Sequence, residues 1–175
     1  MSLDTISLLN TSNQACRLKL EVNSDEFVSQ SKIDEAMSVI DSLDFKPISF
    51  KLEKEYGWSR ESLDRAVPLY KQWLVLQLYY SELSFAPSEL VDEYWHMHIL
   101  DTRKYIEDCQ FVFGYYLHHY PYFGLTEVEN AETLKKGFDL TKRLYQHHFG
   151  HSSLGMGDYK TASCGCRSGN GGSCR

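Results

Sequence analysis

Proline is scarce in this sequence, four in 175 residues, too few for a semi-rigid proline-rich spacer. Cysteine is sparse and odd in number: Cys16, Cys109, Cys164, Cys166 and Cys174. That is not the dense even set of a disulfide scaffold, and it points to a reducing compartment, with the cytoplasm as the expected location. The opening residues, Met-Ser-Leu-Asp-Thr-Ile-Ser-Leu-Leu-Asn, carry neither the positive start nor the apolar stretch of a secretory signal. The longest apolar run, Trp73 to Tyr80, is broken by Gln77, so no membrane span is expected. Positive charge is also in deficit. The net charge is −6; the residues after 159 add Lys160, Arg167 and Arg175 and no acid, so the first 159 carry −9. A body this acidic argues against nucleic acid as a partner, since phosphate contacts need lysine and arginine.

The sequence is rich in apolar and aromatic residues. Forty-two per cent of residues are hydrophobic and 14% aromatic, with 12 Tyr, nine Phe and three Trp, which suits a folded body with a ring-rich core. The periodicity is helical. Ile33, Ala36, Met37, Ile40 and Leu43 fall on one face of a helix starting at Ser31, which Lys46-Pro47 is expected to end. After a link through Phe50–Trp58, Ser59 caps a second helix running to about Leu83, which Pro68 should kink or divide. Its second half is apolar nearly all round and reads as the central buried helix. Ser88 caps the next helix, which pauses near Asp101-Thr102 before a further run from Arg103 to about Leu117. Thr126-x-x-Glu129 has the form of a capping box and is expected to open a final helix. That helix carries a stripe of Leu134, Phe138, Thr141 and Tyr145, with Gly150 at its end. Only Ala15–Val22 hints at a strand. The expectation is an all-α fold, a compact bundle of five to six helices. Residues 1–30 read as a lead-in packed on the body, 31–150 as the helical core, and 151–175 as a disordered, flexible Gly/Ser/Cys tail.

One stretch is dense in side chains that bind metals or move protons: Val91-Asp-Glu-Tyr-Trp-His-Met-His-Ile-Leu-Asp-Thr-Arg-Lys-Tyr-Ile-Glu-Asp-Cys, followed by His118-His119. Helical phasing sorts it. Asp92 and His96, four apart, share a face, so the carboxylate can orient the imidazole or join it at an ion. His98 lies ~200° round the helix from His96 and lines up instead with Thr102, Tyr105 and Cys109. The two sets converge only if the chain bends near Asp101. Three-ligand sites often take two ligands from one helix and a third from a neighbour, so Asp92, His96 and His119 form the candidate metal set. Cys109 is a soft fourth donor that favours Zn2+. His98, Asp101, Tyr105 and His118 are additional candidates. In the tail, Cys164, Cys166 and Cys174 could bind a soft metal or oxidise. There is no His-Glu-x-x-His and no paired Cys-x-x-Cys.

The pattern Asp92-x-x-Trp95-His96-x-His98-x-x-Asp101-Thr102-x-x-Tyr105-x-x-x-Cys109-x-x-x-x-Gly114-x-x-x-His118-His119-x-Pro121 resembles the signature of the glycine-rich domain-containing protein-like family, and the brief Gly/Cys tail resembles that of its shorter bacterial members. The resemblance implies the helical domain but no assigned activity. Three functional readings follow from the residues. The chain binds a metal, zinc by its donors, in the 92–119 region; or it is a non-catalytic module that binds a protein partner, its His/Asp cluster a structural network; or its cysteine tail is a modified substrate or metal-delivery arm.

Overall fold

A computed structural model describes residues 18–154. The tail cysteines Cys164, Cys166 and Cys174, and the lead-in up to residue 17 with Cys16, lie outside the described residues. Within them the chain forms six helices and no strand: α1 (Gln30–Asp41), α2 (Lys46–Tyr56), α3 (Arg60–Tyr79), α4 (Glu89–Leu100), α5 (Thr102–Val112) and α6 (Ala131–Phe149). The stretch 18–22 from the expected strand is neither helix nor strand.

Helix α3 is the hub, packed against α1, α4 and α6, while α4 also meets α2 and α5. The reason lies in its sequence. Leu69, Tyr70, Trp73, Leu74, Val75 and Leu76 are all buried, so its second half has almost no face left for water. Ser59 caps it, its hydroxyl accepting from the Ser62 N–H at 3.1 Å. Pro68 does not divide it, and one helix runs from Arg60 to Tyr79. Burying so many rings requires partners for their polar ends. Tyr145 donates to the Leu69 carbonyl at 2.7 Å, and Tyr94 donates to the Phe45 carbonyl at 3.2 Å.

Three local expectations give way to the structure. Lys46-Pro47 opens α2 rather than closing α1, because proline's missing N–H costs nothing in a first helical turn. The expected link over Phe50–Trp58 is therefore mostly helix, ended by Gly57 in the left-handed region at φ 70°. Thr126-x-x-Glu129 does form a hydrogen bond, from the Glu129 N–H to Thr126 Oγ1 at 2.8 Å. It closes a turn before the helix, and Asn130 is the cap of α6, accepting from the N–H groups of Glu132 and Thr133.

Candidate metal centre

The break expected near Asp101 is present. Asp101, at φ −83° and ψ 73°, ends α4 and caps α5, its carboxylate accepting from the Lys104 N–H at 3.4 Å. The bend nonetheless keeps the two phased sets apart. His98 is 1% exposed and faces the core. Its Nδ1 lies 2.8 Å from the Tyr70 hydroxyl, and its Nε2 lies 3.0 Å from Asp108 Oδ2. The same Asp108 oxygen is 2.8 Å from Lys104 Nζ. Burial pushes the Asp108 carboxyl up, but the bonds from His98 and Lys104 outweigh it and hold the group below its usual range. Tyr70, wholly buried, is held well above the usual phenol range by the loss of water. His98 is thus a core histidine, bonded to Tyr70 and placed against the Asp108–Lys104 ion pair, away from the metal set.

Asp92 and His96 occupy the other face of α4, and His119 reaches them from the segment after α5. Asp92 Oδ1 is 2.9 Å from His119 Nε2, and Asp92 Oδ2 is 3.7 Å from His96 Nδ1. The two imidazole centroids are 4.6 Å apart. One donor atom from each of Asp92, His96 and His119 lies within 4.8 Å of the other two. A tetrahedron with bonds of ~2.1 Å has edges of roughly 3.4 Å, so a small inward movement closes the set on one ion. Side-chain exposure is 12% for Asp92, 13% for His119 and 47% for His96, which leaves the centre open on one side.

The position of His119 is fixed two residues earlier. The Tyr105 hydroxyl donates to the Leu117 carbonyl at 2.6 Å and accepts from the Trp95 indole N–H at 2.9 Å. The Leu117 backbone also lies against the Cys109 thiol and lowers its pKa. Helix α5 therefore holds this loop residue at its carbonyl and against Cys109, and Leu117 is buried. Trp95 then packs edge-on against the His119 ring, centroids 4.6 Å apart. Tyr105 and Cys109 act on His119 through the backbone and do not join the three donors. Burial pushes the Cys109 thiol up, against the Leu117 backbone that lowers it. His118 is exposed, its ring centroid 4.9 Å from that of Tyr116.

Beside the three donors lies a cavity of about 480 Å3. Asp92 and His119 form part of its wall with Trp73, Trp95, Phe123 and Glu129. The wall from the loop is held by a close approach at Gly137 on α6. A Cβ there would stand 2.8 Å from Phe123 Cε1 and 3.1 Å from the Ser84 carbonyl, so only glycine lets the ring sit so near. Asp108, Tyr70 and Glu129 were not legible as site or network residues in the sequence. Asp108 meets His98 across a helix break, which no fixed spacing announces, and Tyr70 comes from α3.

Residues 35–147 match the model of the UCP032817-like family, and the chain belongs to that family. This corrects the expected membership of the glycine-rich domain-containing protein-like family: the match covers the whole Asp92–Pro121 pattern and leaves out the Gly/Cys tail that contributed to the resemblance. No curated protein and no solved structure matches the chain. Among the described residues no helix is long and apolar enough to cross a membrane.

Proposed function

We propose that this UCP032817-like protein binds one divalent metal ion through Asp92, His96 and His119, with zinc the cation best suited to the donors. The observation that carries this reading is the convergence of one carboxylate and two imidazoles from two separate segments, all within 4.8 Å. Two imidazoles and a carboxylate suit zinc, and equally the open three-ligand sites that hold ferrous iron. Three protein ligands would leave a position free for water or a substrate atom. An ion bound there would act as a Lewis acid and lower the pKa of a coordinated water towards ~7, which suits hydrolysis. Trp95 and the Tyr105–Leu117 clamp would hold the His119 ring in place, as outer contacts do at metal sites.

The test is metal analysis of chain purified without a histidine tag, followed by calorimetric titration with zinc. About one ion per chain is expected, with binding lost in Asp92→Asn and His119→Ala. Iron instead of zinc would keep the site and change the chemistry. Less than about 0.2 ion per chain after exposure to either metal, with unchanged thermal stability in chelator, would refute it.

A second reading has its own observation. Tyr115, Tyr116, Tyr120, Tyr122, Leu125 and Val128 are all exposed along the segment between α5 and α6, an apolar surface of the kind that partners cover. Under that reading the Asp92–His119 pair only braces the segment, and His119→Ala lowers stability without changing recovery of a protein partner.

A further inference from the structure

The cavity beside the three donors has a chemistry that the metal does not explain. Its charged lining consists of Glu82, Asp92 and Glu129, with no lysine or arginine. Its apolar walls are broad rings, Trp73, Phe85, Trp95 and Phe123. One lining residue carries an unpartnered buried acceptor, Glu129 Oε2; the Trp73 indole N–H, also without a partner, is a donor that a cation does not pair, so the ligand's charge is read from Glu129. The other contact to the Glu129 carboxylate is the exposed Tyr120 phenol, whose proton it holds. Buried polar atoms without partners are uncommon and costly in a finished core. In the wall of a cavity of about 480 Å3, within the size range of small-molecule sites, the free Glu129 oxygen marks where a ligand's donor belongs.

We infer that this cavity binds a small organic cation, an amine carrying a flat apolar body, with Glu129 as its counter-ion and the indole rings as its walls. The sign follows from the lining. Three carboxylates, facing two imidazoles, His118 and His119, and no lysine or arginine, disfavour a phosphate or carboxylate ligand. The rings favour a cation further, because an ammonium is drawn to the negative face of an indole. The inference does not depend on the metal, since the carboxylates and rings are present without it.

The experiment is a titration of the chain with four probes of similar shape: benzyltrimethylammonium, phenethylamine, 2-phenylethanol and phenylacetate. It is followed by tryptophan fluorescence and by the indole N–H resonances, in chelator-treated and in zinc-supplemented protein. Both cations should bind about tenfold or more tighter than the alcohol, the scale of a charged contact, and phenylacetate weakest of all. Binding should move the Trp73 and Trp95 indole signals and leave Trp58 unchanged. Glu129→Gln should remove the preference for cations, while Glu35→Gln on the exposed face of α1 leaves it intact. Benzyltrimethylammonium cannot coordinate a metal. If it binds in chelator to a chain that takes up no zinc, the cavity inference stands and the metal reading fails. Binding of phenylacetate as tight as the amines, no binding of either cation, or shifts confined to Trp58 would overturn the inference, and the indole shifts decide this in the native chain even if Glu129→Gln does not fold.

Discussion

Acid should unfold this chain earlier than its carboxylates alone require, and the cause is His148. It sits in the last turn of α6, 6% exposed. Its Nε2 is 2.7 Å from the Tyr80 hydroxyl, and that oxygen already accepts from the Val28 N–H at 2.9 Å. The simplest assignment has Tyr80 donating its proton to a neutral His148. Burial, with His147 beside it, lowers the His148 pKa from 6.5 to about 4. The unfolded chain therefore binds a proton that the folded chain refuses between pH 6.5 and about 4, and stability falls as pH drops through that window. No penalty exists above the window. At its lower end the penalty is about 3 kcal/mol, from ~1.4 kcal/mol per pH unit. Urea unfolding at pH 7, 5.5 and 4, in chelator, would measure it for the native chain and for His148→Gln. Glutamine can still accept from Tyr80 but cannot be protonated. The native chain should lose about 3 kcal/mol more than the variant between pH 7 and 4. Asp108 contributes its own acid sensitivity equally to both proteins and cancels in the difference. Parallel losses in the two proteins would refute the reasoning.

Three other perturbations have defined outcomes. Tyr105→Phe removes the donor to Leu117 and the acceptor for Trp95; it should cost ~1–3 kcal/mol in chemical denaturation and weaken zinc binding by about 10-fold or more, and unchanged zinc affinity would sever the clamp from the site. Gly137→Ala drives a Cβ into Phe123 and the Ser84 carbonyl, and a thermal melt should register a loss of roughly 1–3 kcal/mol. Cys109 is 2% exposed with its thiol pKa raised, so mass spectrometry of iodoacetamide-treated chain should find it unmodified when folded and labelled in urea; rapid labelling in the native state would contradict its placement.

Where local rules decide the outcome, the sequence was a good guide. The Ser59, Ser88 and Gly150 termini rest on capping side chains or a left-handed backbone, and the pause near Asp101-Thr102 was expected although His98, Thr102, Tyr105 and Cys109 keep one helical phase across it. Lys46-Pro47 misled because proline marks both the end of one helix and the start of another, and only packing of Phe45 and Ile48 into the core chooses between them. His98 illustrates the deeper limit. Phasing separated it from His96, but nothing local says which of the two faces the core. That depends on Tyr70, which waits on α3, and on Asp108, which the bend swings into place. His148 carried no local signal of its role, because its partner, Tyr80, lies 68 residues away.

The double grip on Leu117 has a consequence for length. Between the end of α5 and Leu117 the chain passes through Gly114, at φ 74°, and the exposed Tyr115 and Tyr116, of which Tyr116 meets the clamp through a ring contact with Tyr105, centroids 5.2 Å apart. From Leu117 to His119 there is one intervening residue. Inserted or deleted residues should therefore be absorbed before the grip, as slack taken up ahead of a cleat. A single residue added after it would carry the third imidazole out of reach of Asp92.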